Sequence, residues 1–297
     1  MREIAVMLWL CSLATTSSGH EYLSFDQLAE AFGYDFVNTE ISSEEVAPGV
    51  HVLFGVGGNV IVSIGDQGVL MVDSQFSRLM PKLQDTIASL GGGDVDLAVN
   101  THWHFDHADG NPVLGRDGAW LVAHTNSRRM MTGARDVSYV DTTYQQPAFP
   151  AEALPVATFS DHMQLHFNDE TIDLFHFGPA HTSGDAAVYF RSANVVHMGD
   201  IFFPRYPYID AGNGGDLYGM IRFCENVVAR LDDDSVVGPG HGPFRGYAVR
   251  AAYISMLESL ARRISALIDQ GMSLEEIIAV APSAVFDERF GNPLLFI

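Results

Sequence analysis

Apolar residues recur with two different spacings along the chain. Between residues 51 and 73, β-rich apolar runs alternate with glycine-containing turns, which is the pattern of antiparallel strands. Helical spacing follows, at Leu79, Leu83, Ile87 and Leu90. Three glycines end that segment, and a further strand is predicted over residues 95–100. The first part of the chain is therefore expected to form a sheet with a helix against it.

The same order of elements returns further along the chain. Strands are predicted over residues 119–123, 163–167, 171–177, 186–190, 194–198 and 235–237. Helices are predicted over residues 125–132, 217–231 and 248–268. The prolines between residues 147 and 155 indicate an irregular connection. This order predicts an α+β protein with two sheets sandwiched between helices.

The first 19 residues have the form of a secretory signal peptide. A short charged start precedes an apolar run too short to span a membrane, and small polar residues follow it. Glu3 and the lack of an Ala-x-Ala site are atypical, and a buried N-terminal helix is the alternative. Residues 20–297 are expected to form a single catalytic domain. Cleavage would make the protein periplasmic or secreted; without cleavage it would be cytoplasmic.

Composition restricts the partners. The chain of 297 residues is 47% hydrophobic and 18% charged, as in globular proteins that bury a sizeable core. Its formal net charge of −21 repels polyanions, which disfavours nucleic acid and anionic membrane surfaces. Loss of Cys11 with a signal peptide would leave only Cys224, so no disulfide framework is expected. A small-molecule substrate is the expected partner, and the oligomeric state is left open.

The densest chemistry follows the strand predicted to end at residue 100. Alternate side chains of an extended segment share a face, so His102, His104 and Asp106 can point the same way. The chain must then turn for His107 to join them. A single histidine on an apolar strand is usually a hydrogen-bonded core residue, but four such groups together would bury too much unpaired polarity. Imidazole and carboxylate are typical zinc ligands, so the pattern predicts a metal site.

Three later segments carry further candidate ligands. Each follows a strand-like run and lies in a turn that contains glycine or proline, where functional groups are often displayed. The candidates are His181, Asp200 and His241.

With these residues, the sequence resembles the metallo-β-lactamase superfamily over roughly residues 48–245. The resemblance rests on the His-x-His-x-Asp-His motif, on the three later candidates in the family's order, and on a strand that ends in Asp73. It implies a four-layer αββα sandwich and a pair of zinc ions, with Asp73 orienting the motif loop rather than binding metal. The implied ligands are His102, His104 and His181 for one ion, Asp106, His107 and His241 for the other, and Asp200 for both.

The implied chemistry is hydrolysis of a carbonyl substrate. Zinc lowers the pKa of bound water towards about 7, so a hydroxide bridging the ions would be available at neutral pH. The catalytic residues would be Asp200, as the bridging ligand, and Asp106, as a secondary proton shuttle. Iron or manganese could replace zinc, because the same ligand types suit them.

The substrate stays open at this point. Opening of a β-lactam ring is the first expectation, but true β-lactamases of the family usually carry cysteine or serine at the position of Asp200. Lactonases and glyoxalase II-like thioesterases carry aspartate there and are the alternative. From another class, a diiron sulfur dioxygenase-like enzyme is retained. A nuclease is disfavoured by the acidic charge. A non-enzymatic binding module is disfavoured because no ligand is missing.

An aromatic segment with one arginine follows Asp200. Arg205 is a candidate for binding a substrate carboxylate, and Tyr206 or Tyr208 for packing on the body of the substrate. A surface arginine and aromatic residues that fill the core are the equally weighted alternative.

Overall fold

The computed structural model describes residues 21–244, 248–294 and 296. The expected signal peptide, residues 1–19, lies outside the described residues. Among the helices that are described, none combines the length and the apolar character needed to cross a membrane.

Fifteen strands are found in the described part of the chain. In chain order, β1 to β15 are Glu21–Leu23, Ser42–Ala47, Val50–Phe54, Val60–Gly65, Gly68–Val72, Val95–Val99, Trp120–His124, Arg135–Ser138, Thr142–Gln146, Ala157–Phe159, His162–Phe167, Glu170–Phe175, Ala187–Phe190, Val195–His197 and Val236–Gly238. They form a seven-stranded sheet in the order β10-β7-β6-β5-β4-β3-β2, a five-stranded sheet in the order β11-β12-β13-β14-β15, and a small sheet in the order β1-β9-β8.

Nine α-helices are found in the same part of the chain. In chain order, α1 to α9 are Phe25–Ala31, Met80–Ser89, Phe105–Ala108, Asn111–Arg116, Thr125–Met131, Leu217–Val228, Ala248–Asp269, Leu274–Val280 and Asp287–Phe290. The strands and helices predicted from apolar spacing are all present, with ends that differ by a few residues.

The two large sheets pack face to face. Alternate side chains of each strand point to opposite faces, so Leu70 and Val72 on β5 lie in the core between the sheets. Residues of the other sheet, such as Leu174 and Val188, belong to that same core. The cores between β-layers therefore arise directly from the period-two pattern of the sequence.

Helices cover the outer face of each sheet. On the seven-stranded sheet, Met71 packs with Leu83 and Ile87 of α2. On the five-stranded sheet, Val196 packs with Phe223 of α6 and with residues of α7. The α+β class and the four-layer αββα order are thereby confirmed.

The small sheet was not predicted. Its strands β8 and β9 are short and largely polar, so they carry little period-two signal. Strand β1 joins it by parallel pairing with β9, over a long separation in sequence. The small sheet supports the segment after Asp200, because the amide of Asn213 donates to the backbone oxygen of Asp136 at 2.8 Å.

Several strand ends meet at one edge of the sandwich. Strands β5 and β6 run parallel, as do β14 and β15. The loops that follow these four strands begin at Asp73, Asn100, Met198 and Pro239. Because parallel strands place their carboxyl ends at the same edge, these loops are brought together there.

The core between the sheets is tested by Leu70→Ala. Leu70 is fully buried, and the cavity left by truncation should lower the free energy of unfolding by about 2 to 5 kcal/mol. Val37→Ala is the control, since Val37 is 82% exposed and should change the same quantity by less than about 0.5 kcal/mol. Denaturant unfolding measures both variants. An equal effect of the two substitutions would contradict the placement of the core.

Candidate metal centre

The histidine-rich motif lies between β6 and a short helix. His104 has extended backbone and precedes α3, which starts at Phe105 and carries Asp106 and His107. From the sequence, Asp106 was expected on the extended face with His102 and His104. This detail is wrong, because α3 begins at Phe105 and Asp106 therefore lies on the helix. The early turn still directs all four side chains to the same cluster.

One half of the cluster consists of three histidines. His102, His104 and His181 each offer a nitrogen, and these atoms lie within 4.8 Å of one another. The shortest approach is 2.9 Å, between Nδ1 of His104 and Nε2 of His181. All three side chains are buried. We call these residues the first half-site.

The other half combines two histidines with a carboxylate. Nε2 of His241 lies 3.2 Å from Oδ2 of Asp106 and 3.2 Å from Nε2 of His107. His107 is fully buried, while the side chains of His241 and Asp106 keep 28% and 13% of their surface exposed. We call these residues the second half-site, and its exposed members face the solvent side of the cluster.

Asp200 lies between the two half-sites. Its Oδ1 is 3.2 Å from Nε2 of His107, and its Oδ2 is 3.6 Å from Nε2 of His241. The same Oδ2 is 3.7 Å from Nε2 of His181, in the first half-site. The structure thus brings together all seven residues singled out from the sequence, with Asp200 in the shared position.

Burial favours neutral imidazoles at His102 and His181. Burial, reinforced by positive neighbours such as His107, holds the pKa of His102 well below its ordinary value. Burial and His104 lower the pKa of His181 to about 4. These rings keep a free nitrogen lone pair at neutral pH, which is the form that binds metal.

The carboxylates of the cluster are kept ionised. Burial alone would raise the pKa of Asp200, but His241 and His107 outweigh it and hold the pKa well below the ordinary value. Burial likewise opposes ionisation of Asp106, and His107 and His241 again lower its pKa. The cluster therefore carries anionic oxygens beside nitrogen lone pairs.

Two buried atoms test whether a metal fits. In the part of the chain that is described, Nε2 of His102 is buried without a hydrogen-bond partner, and buried Oδ1 of Asp200 has only Nε2 of His107 near it, at 3.2 Å. Leaving such a group unpaired costs about 1 to 3 kcal/mol. A cation bound by imidazole and carboxylate would satisfy both atoms, and Zn²⁺ has that preference. The residues therefore fit a metal centre.

Asp73 contacts the histidine-rich motif on the side that faces away from the cluster. Its Oδ2 lies 2.8 Å from Nδ1 of His107 and accepts a 2.7 Å hydrogen bond from the hydroxyl of Thr101. Its Oδ1 accepts from the backbone N–H of Thr101 at 2.7 Å. Asp73 therefore orients His107 so that Nε2 faces the cluster, in agreement with the position expected from the sequence.

A second carboxylate that orients a histidine of the cluster was not predicted from the sequence. Oδ2 of Asp210 lies 2.9 Å from Nε2 of His104, which leaves Nδ1 of that ring for the cluster. The amide of Asn213 donates to both carboxylate oxygens of Asp210, at 3.0 and 2.8 Å. Asp210 stands alone among aromatic and small residues ten positions after Asp200, so no spacing rule indicates it. Only the folded chain brings it to His104.

The remaining histidines of the first half-site also have outer contacts. Nδ1 of His181 donates to the backbone oxygen of Tyr208 at 2.7 Å, and Nδ1 of His102 lies 3.1 Å from the hydroxyl of Thr101. Such contacts fix the orientation of a ligating ring and raise its basicity.

The three substrate-binding candidates are placed differently. Tyr206 is buried in the core, and its hydroxyl donates to Asp287 at 2.7 Å. Its predicted packing on substrate is wrong, because packing on the C-terminal segment takes up the side chain. Tyr208 borders the cluster, with its ring 5.8 Å from that of His181. Arg205 is exposed.

Aromatic rings from segments distant in sequence pack one against the next, beginning at Tyr208. Tyr139 lies 5.3 Å from Tyr208, and Phe32 lies 5.3 Å from Tyr139 and 5.7 Å from Tyr34. We call Phe32, Tyr34, Tyr139 and Tyr208 the aromatic wall. Burial and then the charges of Asp106 and Asp200 raise the pKa of Tyr34. Phe32, Tyr34 and Tyr139 were not among the candidates predicted from the sequence.

Sequence comparison identifies related proteins. The profile of the metallo-beta-lactamase superfamily matches residues 53–244. A hydroxyacylglutathione hydrolase from Polaromonas sp. is 30% identical over 158 residues, 52% of this chain and 51% of that protein. The chain therefore spans about half the length of that relative. A probable metallo-hydrolase from Methanocaldococcus jannaschii is 23% identical over 196 residues, 64% of this chain and 89% of that protein.

Structural comparison shows the same fold. A metallo-beta-lactamase from Pontibacter korlensis superposes with a TM-score of 0.60 at 16% identity, covering 74% of this chain and 99% of its own. The DIM-1 metallo-beta-lactamase superposes with a TM-score of 0.58 at 19% identity, covering 74% and 97%. The profile match covers more than half of the sequence and includes all seven clustered residues. The chain therefore belongs to the metallo-beta-lactamase superfamily.

Proposed function

We propose that this protein is a two-zinc hydrolase of activated carbonyl compounds, with lactones and thioesters as its first substrate class. The observation that carries the proposal is the position of Asp200, whose carboxylate contacts both half-sites. Its Oδ1 lies 3.2 Å from Nε2 of His107, and its Oδ2 lies 3.6 Å from Nε2 of His241 and 3.7 Å from Nε2 of His181. A carboxylate there can be shared by two ions. Within the superfamily that the sequence resembles, aspartate at this position is typical of the thioesterase, lactonase and nuclease branches.

The proposed ligands follow the two half-sites. His102, His104 and His181 would hold one ion, Asp106, His107 and His241 the other, and Asp200 would contact both. When bound, paired zinc ions supply a nucleophile at neutral pH and polarise the carbonyl of the substrate. Iron or manganese would suit the same residues.

The protein's own groups contribute orientation and proton handling. Asp73 and Asp210 fix the outer nitrogens of His107 and His104, so each ring presents its other nitrogen to the cluster. Asp106 is partly exposed, so it could serve as a secondary proton shuttle beside its role as a ligand. The aromatic wall offers an apolar surface for the body of the substrate.

The comparisons support this order of substrates. The Polaromonas relative is a hydroxyacylglutathione hydrolase, and its name denotes cleavage of a thioester. The similarity covers about half of that protein, so the substrate is a proposal for this chain. The acidic net charge of −21 favours a neutral or small substrate over a polyanion.

Opening of a β-lactam ring is the second candidate. One observation favours it: Arg205 is exposed in the segment between Asp200 and Tyr208, so a substrate carboxylate could reach its guanidinium. A periplasmic or secreted location, proposed from residues 1–19, would suit this candidate better than hydrolysis of an intracellular thioester.

A substrate panel tests the proposal. Zinc-loaded protein is assayed with a lactone, an acylglutathione thioester and a chromogenic cephalosporin, each beside His181→Ala and a chelator-treated sample. We expect turnover of the lactone or the thioester, lost by at least about a hundredfold in both controls because the first half-site is then incomplete or empty. Turnover of the cephalosporin alone would move β-lactams to first place. Equal rates in wild type and His181→Ala would contradict the proposed site.

The role of Asp210 gives a separate prediction. Asp210→Asn should weaken zinc binding or activity by about 10- to 100-fold, because it removes the charged partner that orients His104. Competition with a chromogenic chelator measures zinc affinity directly.

Asp173→Asn provides a matched control for Asp210→Asn. Asp173 forms an equivalent contact with His162 at 2.8 Å, on the five-stranded sheet. Zinc affinity should stay unchanged in this variant. The same loss of affinity in both variants would show that Asp210 acts through general stability.

A further inference from the structure

The turn between β3 and β4 lies directly against the second half-site. A Cβ atom on Gly58 would come 2.2 Å from Cε1 of His107, so only glycine allows this approach. The N–H of Gly58 donates to the backbone oxygen of Asp106 at 2.9 Å. We call residues 55–59 the glycine turn.

Asn59 is the last residue of the glycine turn and forms hydrogen bonds to the loop that carries His241. Its side-chain amide donates to the backbone oxygens of Pro239 at 2.9 Å and Gly242 at 2.7 Å. Its own N–H donates to the backbone oxygen of Gly240 at 2.6 Å. Asn59 is only 4% exposed. Three hydrogen bonds from one residue therefore reach the backbone on both sides of His241.

His241 differs from the other four histidines of the cluster. Rings 102, 104, 107 and 181 each contact an outer partner through the nitrogen that faces away from the cluster. For His241, the polar contacts found within the described residues all go through Nε2 to the cluster itself. Beyond an edge contact with the ring of Phe203 at 6.0 Å, its position therefore depends on the backbone of its loop.

The two half-sites are held by different parts of the chain. The outer partners of the first half-site are Thr101, Tyr208 and Asp210. The glycine turn instead contacts Asp106, His107 and the loop of His241, which are all in the second half-site. A disturbance of the glycine turn would therefore act directly on the second half-site, and on the first only through the shared Asp200.

We propose that Asn59 is a positioning residue that determines the affinity of the second half-site for its metal, by fixing the loop of His241. This inference rests on the proposed metal pair. Loss of the amide releases the carbonyls of Pro239 and Gly242, and the loop then carries His241 away from its position beside Asp106 and Asp200. At a limiting concentration of metal, the variant protein then binds a single ion, in the first half-site.

The test is a metal titration of the whole protein. Metal-free wild type and Asn59→Ala are titrated with Zn²⁺ against a competing chelator, and with Co²⁺ followed by visible absorption. Wild type should bind two ions per chain. Asn59→Ala should keep the affinity of the stronger site within about twofold and lose about 10- to 100-fold at the weaker one. Asn59→Asp keeps the shape of the side chain but cannot donate, and it should show the same selective loss.

Asn168→Ala is the matched control. The Asn168 amide also donates to two backbone oxygens, those of Ser63 at 3.3 Å and Gly68 at 3.1 Å. These acceptors lie on strands β4 and β5 and not on the loop of His241. Its variant should bind both ions as wild type does. Two wild-type affinities in the Asn59 variants, or an equal loss at both sites, would overturn the role of Asn59. Failure of wild type itself to bind metal would instead overturn the proposed function.

Discussion

Five imidazoles and two carboxylates form one cluster at the edge of the sandwich, and most of them are buried. His104 and His181 donate from their outer nitrogens to Asp210 and Tyr208, so the inner nitrogens that face each other at 2.9 Å both hold lone pairs. Unpaired polar atoms in such surroundings are costly. Cations that accept nitrogen and oxygen ligands resolve this conflict, and the rest of the site is arranged around that requirement.

The fold meets the requirement by separating the ligands from what orients them. Strand ends deliver the ligands from four loops, and residues behind the cluster fix the direction of each ring. Asp73 does so for His107 and Asp210 does so for His104. Asn59 has the corresponding place for His241, but it acts on the backbone rather than on the ring. The half-sites thus share Asp200 while depending on different segments for their geometry.

The fold and the seven clustered residues were accessible from the sequence because their signals are local. Period-two alternation predicts the large sheets, and the motif from His102 to His107 concentrates its ligands in six positions. Asp210 and the part of the aromatic wall beyond Tyr208 were not accessible, because they reach the cluster through a polar sheet and an N-terminal segment distant in sequence. Tyr206 shows the converse: an aromatic residue near Asp200 in sequence is directed into the core.

The central claim is that the cluster holds two metal ions in the two half-sites. Anomalous X-ray diffraction at the zinc absorption edge, on crystals of the zinc-loaded protein, tests this most directly. Two anomalous peaks are expected, one among His102, His104 and His181 and one among Asp106, His107 and His241, with Asp200 between them. A single peak, or peaks away from these residues, would contradict it.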